Sequence, residues 1–317
     1  MLVFALGVVT ALGAEKFWTA AASCDAQFSL LNPDANCVDE QKGLDEWAYD
    51  PLRQRLIQAI EHYTTTGKVP HIALSFRDLK NGPRFSIREN EIFEPVSLLK
   101  LPIMMVILHQ ADRYPTFLDE RISYEKEYED IKNYILGDKE QSLKLHATYT
   151  IGELLERMIR YSDNTSSYLL LDRINELGLR MNSNTFADFG TMQLLMSGEL
   201  DNTRLLSLVN IFVAFYNANY LSPSLSQFAL ELLTQTSFDK GIVGGVPDGV
   251  LVAHKFGIRL GPVEQSELHD CGIVYHPSAP YVLCILTAGA DIDTASAAIR
   301  DISKIVYEGV DTLNDGR

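Results

Sequence analysis

Hydrophobic positions along the chain change their period twice. From Asp50 to Thr65 the apolar residues Leu52, Leu56, Ile57 and Ile60 mark one side of a helix that stops before Gly67. Residues 71–76 and 85–88 are short runs rich in Ile, Leu and Phe. Lys80-Asn81-Gly82-Pro83 lies between them, and its Asn-Gly pair signals a tight turn, so a β-hairpin is predicted. Residues 97–110 (SLLKLPIMMVILHQ) are apolar nearly all round, which predicts a helix buried between layers, with Pro102 early enough to remove few backbone bonds. Residues 112–235 read almost entirely as helices with polar connections. Thr150-Ile151-Gly152-Glu153 is a capping box opening a helix that ends near Tyr161, and a second helix over 165–177 is stopped by Gly178. The period returns to that of strands over 250–256, 271–275 and 281–287, a meander. An amphipathic helix from about Asp293 to Val310 follows, with Ala298, Ile299, Ile302, Ile305 and Val306 on one side.

Strands near both ends with helices between them predict an α/β fold: an antiparallel sheet flanked by helices, carrying an inserted all-α domain. The α/β part takes residues 50–110 and 240–317 and the helical part 111–239, behind a lead segment of residues 1–49. No internal repeat or low-complexity tract interrupts this plan. The composition, 46% hydrophobic and 22% charged over 317 residues, suits one folded body.

Charge narrows the partners. Asp and Glu outnumber Lys and Arg by 42 to 27, a formal charge of -15, and the basic residues form no run, so nucleic acid is excluded as a partner. Met1 to Ala14 is almost wholly apolar, as in the core of an export signal or a membrane-anchor stub, although no Lys or Arg precedes it. The expected location is therefore outside the cytoplasm, with a possible N-terminal membrane anchor. Residues 20–24 (AAASC) resemble a lipoprotein cleavage box without the usual Leu. Cys24 and Cys37 could close a small disulfide loop in an exported protein. Cys271 and Cys284 flank the turn Pro277-Ser278-Ala279-Pro280, which places them diagonally, roughly 7–8 Å apart, and predicts two buried thiols. The seven His form no Cys/His cluster and no H-E-x-x-H, so no metal or other cofactor is expected, and His254 and His269 are read as packing or surface residues.

Three short motifs carry candidate chemistry. Ser-x-x-Lys on a helix sets the Lys amine one turn behind the Ser hydroxyl, where it can take the proton that a nucleophilic Ser must lose. The pattern occurs twice, at Ser97/Lys100 and at Ser237/Lys240. Ser97 follows Glu94-Pro95 and opens the buried apolar helix, whose unpaired N–H groups can stabilise an oxyanion, whereas Ser237 lies between a helix end and Gly241. Ser162-Asp163-Asn164 sits between two capped helices, on a short loop. His254-Lys255-Phe256-Gly257 ends a strand, where Gly257 would let a substrate backbone approach. Each motif alone is weak; an isolated Ser-Asp-Asn is as readily a helix N-cap.

In this order and these settings the three resemble the penicillin-recognising serine enzymes, and most closely the class A β-lactamase branch, over roughly residues 50–310. The resemblance implies that Ser97 is acylated, that Lys100 is its proton partner and that Ser162 relays a proton to the leaving nitrogen. It implies that Asn164 binds the substrate's amide side chain, that Lys255 and Gly257 line the carboxylate end, and that the N–H groups of Ser97 and Ile258 form the oxyanion hole. For Lys100 to act as a base near neutrality its pKa must fall through burial and a neighbouring positive charge, which Lys255 could supply. The implied substrate is a small β-lactam or a cell-wall peptide, handled by a monomer.

Two departures accompany it. Class A enzymes carry a Glu followed four residues later by Asn on a loop after the Ser-Asp-Asn helix; here Glu199 precedes Asn202 by three and reads as a turn residue. Phe256 stands where the family places Thr or Ser, with Arg259 as a candidate replacement contact for a carboxylate. A lactam hydrolase leads the readings; a peptidoglycan DD-peptidase or transpeptidase, and a β-lactam-binding sensor without turnover, are the alternatives.

Overall fold

A computed structural model describes residues 28–33, 45–80, 82–128, 142–179 and 202–314, with the side chains of 202–204 excluded. The expectations placed on Met1 to Ala14, the 20–24 box, Cys24, Cys37 and Glu199 fall outside these residues. Helix α1 (Asp50–Thr65) buries the predicted stripe of Leu52, Leu56 and Ile60. Strands β1 (His71–Asp78) and β2 (Arg84–Ile87) form the hairpin. Helix α2 (Lys100–Arg113) is buried on nearly every side, as its uninterrupted apolar run requires.

The next segment corrects the all-helical expectation. Strands β3 (Arg121–Ser123) and β4 (Thr148–Thr150) pair as a two-stranded antiparallel ribbon. Three-residue strands whose partners are distant in sequence leave no alternation long enough to recognise. Helices α3 (Ile151–Arg160), α4 (Asn164–Glu176), α5 (Asn202–Tyr216) and α6 (Pro223–Thr234) follow. The capping box forms as predicted: Glu153 N donates to Thr150 Oγ1 at 3.0 Å and Thr150 N to Glu153 Oε2 at 2.7 Å. Thr150→Ala is expected to cost about 1 kcal/mol in urea unfolding, with an unchanged denaturant slope.

Strands β5 (Val252–Arg259), β6 (Glu267–Val274) and β7 (Tyr281–Ala288) precede the closing helix α7 (Ile292–Asn314). The sheet is antiparallel in the order β2-β1-β7-β6-β5, which leaves β5 at an edge. Period-two alternation builds two cores. Ile72, Leu74, Phe76, Leu283 and Ile285 meet α1 and α7 on one face; Ala73, Ile273, Val282 and Leu286 meet α2 to α6 on the other. Residues 28–33 also pack onto the helical part, with Leu30 5% exposed and Asn32 N donating to Tyr216 O at 2.7 Å.

The cysteine expectation is overturned. β6 and β7 pair Val274 with Tyr281, so the connection runs over 275–280 and places Cys271 directly opposite Cys284. The two are disulfide-bonded, with Cα atoms 4.0 Å apart. The turn is centred one residue earlier than Pro277-Ser278-Ala279-Pro280 suggests, and that shift turns a diagonal pair into a facing one.

Candidate active site

Ser97 lies in a 3-10 turn, Val96–Leu99, that runs directly into α2, so the first turn is tighter than a continuous helix from Ser97 would give. Val96 has φ +40°, a left-handed conformation costly for a β-branched side chain. Ser162 is also left-handed, at φ +57°. Two strained non-glycine residues, each costing about 1–3 kcal/mol, adjoin the same few atoms.

Ser-Asp-Asn is not wholly on a loop. Asp163 is the N-cap of α4 and Asn164 its first residue. The Asp163 carboxylate, 1% exposed, accepts from Thr165 N (2.9 Å), Ser166 N (3.4 Å) and Ser166 Oγ (2.9 Å), and Arg157 Nε approaches at 3.3 Å. This fixes the helix start, and with it the directions of Ser162 and Asn164.

The Lys100 ammonium nitrogen is where these elements meet. Nζ lies 3.0 Å from Ser97 Oγ, 3.0 Å from Ser162 Oγ, 2.5 Å from Ser162 O and 2.6 Å from Asn164 Oδ1. The residue is 4% exposed. Burial pulls its pKa down to about 7, against the opposing pull of the Asp163 charge. Burial, expected alongside a second positive charge from Lys255, is the principal cause.

Lys255 is 0% exposed and does not line an open surface. Its Nζ donates to Phe256 O at 2.8 Å and lies 4.0 Å from the centre of the Phe256 ring. Burial, then the Lys100 charge, lowers its pKa well below the usual lysine value, with Asp270 opposing. Phe256 belongs to the core beneath α1 and α7, with its ring centroid 5.0 Å from that of Phe238, so it is no exposed wall of the cleft. Arg259 is committed elsewhere: it pairs with Glu94, its Nη2 lies 3.8 Å from Glu267, and its Nε donates to Gln265 O at 2.8 Å.

At the open edge of β5, Thr236 Oγ1 donates to His254 O (2.7 Å) and Lys255 Nζ to Phe256 O. Backbone groups alternate sides along a strand, so the Ile258 N–H points to the same edge. The strand comes unusually close to the Ser97 turn here. A Cβ on Gly257 would lie 2.5 Å from Val96 Cγ2 and 3.1 Å from Ser97 N. The need for glycine is therefore the packing of strand on turn, where sequence reasoning had assigned it to substrate approach. Gly257→Ala is expected to cost about 1–3 kcal/mol and to slow reaction at Ser97, visible as a lower Tm together with a reduced acylation rate.

Ser97, Lys100, Ser162 and Asn164 thus converge, Gly257 and Ile258 border them, and Lys255 lies just beneath. The N-cap reading of Ser-Asp-Asn, weighed in the sequence as an alternative to a catalytic motif, holds for Asp163, and the cap and the cluster coexist. Of the packing and surface alternatives for His269, the buried one holds, and Glu267 beside it carries no signal in the sequence. Among the described residues no group of three or more His, Cys, Asp or Glu is placed to hold a metal ion. The arrangement offers a hydroxyl nucleophile, an amine able to be neutral near pH 7, a second hydroxyl touching that amine, and backbone N–H groups from two segments.

A sequence profile described as the beta-lactamase enzyme family matches residues 52–310. Beta-lactamase 3 of Bacillus cereus is 27% identical over 211 residues, covering 62% of this chain and 64% of the relative, so the match spans a little under two thirds of that protein. The structure of PBP-A superposes with a TM-score of 0.65 at 21% identity, covering 85% of this chain and 98% of that one. An ancestral class A β-lactamase superposes at 0.63 and 20% identity, covering 80% and 99%. These two likenesses speak to the fold.

Proposed function

The chain belongs to the beta-lactamase enzyme family, and from that premise we propose that it is a serine hydrolase that opens a cyclic amide through an acyl-enzyme on Ser97. The observation that carries the proposal is the setting of Lys100. In its neutral form Nζ has two protons and one lone pair. Ser162 O at 2.5 Å and Asn164 Oδ1 at 2.6 Å are the nearest acceptors for the protons. The lone pair is left for the Ser97 hydroxyl at 3.0 Å.

Ser97 Oγ attacks the lactam carbonyl carbon while its proton passes to Nζ, and the carbonyl oxygen becomes an oxyanion held by the Ser97 and Ile258 N–H groups. Collapse breaks the C–N bond, and the proton returns from Nζ through Ser162 Oγ, 3.0 Å away, to the leaving nitrogen. Water hydrolyses the resulting ester. Asn164, which accepts from Lys100, would bind an amide side chain of the substrate.

A second reading rests on one sequence feature: between Gly178 and Arg204 no Glu is followed four residues later by Asn. That favours a long-lived acyl-enzyme, as in a penicillin-binding peptidase. Intact-protein mass spectrometry with a penicillin, followed by digestion and peptide mapping, tests both readings. The expected result is a gain equal to the whole drug, since ring opening expels nothing, located on the peptide carrying Ser97. Decay of the adduct within seconds supports the hydrolase, and persistence for hours supports the second reading. No adduct and no turnover would overturn the acyl-enzyme proposal.

A further inference from the structure

The two N–H groups assigned to the oxyanion come from different elements, the turn at Ser97 and the edge strand at Ile258, so something must fix their separation. We propose that Glu94, Arg259, Glu267 and His269 form a clamp that sets this separation, acting as positioning residues for acylation. The inference rests on the acyl-enzyme reading above.

Glu94 lies three residues before Ser97 and is held at all three of its hydrogen-bonding groups. Its carbonyl accepts from His269 Nε2 at 2.7 Å. Its amide donates to Glu267 Oε2 at 3.1 Å. Its carboxylate pairs with Arg259, the residue after Ile258. The strand register makes this possible, because β5 and β6 pair Arg259 with Glu267 and Gly257 with His269. The clamp therefore joins the segment entering the Ser97 turn to the strand that carries Ile258.

The clamp has a buried half, His269 and Glu267, and a half nearer the surface, Arg259 and Glu94, whose side chains are 33% and 52% exposed. His269 is 0% and Glu267 7% exposed. Thr287 N donates to His269 Nδ1 at 3.3 Å, which assigns the proton of the neutral ring to Nε2, the atom facing Glu94 O and, at 3.1 Å, Glu267 Oε2. The Phe93 ring meets the imidazole edge-on at 5.7 Å. Between Glu94 and Ser97 stands Val96, whose left-handed backbone persists only if its surroundings enforce it. Gly257 presses on the turn from the strand side, and the clamp ties down the chain that leads into it.

The test is pre-steady-state acylation by the penicillin, followed by mass, with the dependence on drug concentration separating the acylation rate constant from the non-covalent dissociation constant. His269→Leu is expected to lower the rate constant about tenfold or more, because a misplaced oxyanion donor loses much of what its removal loses. The dissociation constant should stay within about twofold, since acylation depends more on these donors than ground-state binding does. His269→Gln, which returns an amide N–H near the Nε2 position, should recover most of the rate. Arg259→Gln, at a side chain 33% exposed, gives the same test should His269→Leu fail to fold, and is expected to slow acylation severalfold. Variants that acylate as fast as wild type, or a His269→Gln no better than His269→Leu, would overturn the clamp while leaving the acyl-enzyme intact. A wild type that forms no adduct would overturn the acyl-enzyme reading, and the clamp with it.

Discussion

Replacing Lys100 by Met is expected to slow acylation of Ser97 by about 10²- to 10⁴-fold, the range over which a positioned base acts. Met fills much the same space without the amine, so the packing of α2 should survive. The same substitution should stabilise the protein. Lys100 has a folded pKa of about 7 against about 10.4 for a lysine in water, so the unfolded chain binds more protons between those values. Its cost to folding is absent above the upper value, grows as pH falls and is fully present below about pH 7. Lys100→Met should therefore raise Tm more at pH 6 than at pH 10. Loss of activity with a higher Tm would identify Lys100 as a residue kept for chemistry; a lower Tm at both pH values would make it structural.

Asp163→Ala should produce the largest loss of stability, on the order of 3 kcal/mol, because it removes a buried N-cap together with a buried charge contact. Three donors from Thr165 and Ser166 lose their acceptor, and Arg157, 21% exposed, loses its carboxylate. Asp163→Asn keeps an oxygen for the cap and should cost about 1 kcal/mol. It also removes the charge that opposes the depression of Lys100, so the pKa of Lys100 should fall below 7. Urea unfolding of both variants measures the first effect, and acylation below pH 7, faster for Asn than for wild type relative to their plateaus, measures the second. Equal stability of Asp163→Ala and wild type would contradict the capping role.

Local signals in the sequence travelled well where they were dense. The apolar stripe of α1, the all-apolar run of α2 and the capping box at Thr150 each specify an element without outside help. Ser97, Lys100, Ser162 and Asn164 were legible because helical spacing and helix starts fix their directions, and the family resemblance joined the motifs. What failed depended on strand register. Whether Cys271 faces Cys284 turns on where the 275–280 connection is centred, and the β3–β4 ribbon on pairing across a long connection. The directions of Phe256 and Arg259, and the full burial of Lys255, likewise depend on how β5 packs, which no local pattern carries. Glu94 meets His269 and Glu267 across about 175 residues of chain, a distance over which no periodicity carries information.

The central claim, that a largely buried Lys100 takes the Ser97 proton near neutrality, is tested most directly by the pH dependence of the acylation rate constant. With the amine acting as base the rate should climb as pH rises through about 7 and then level off, and this limb should vanish in Lys100→Met. A rate flat from pH 5 to 9, or a limb that survives the removal of Lys100, would contradict it.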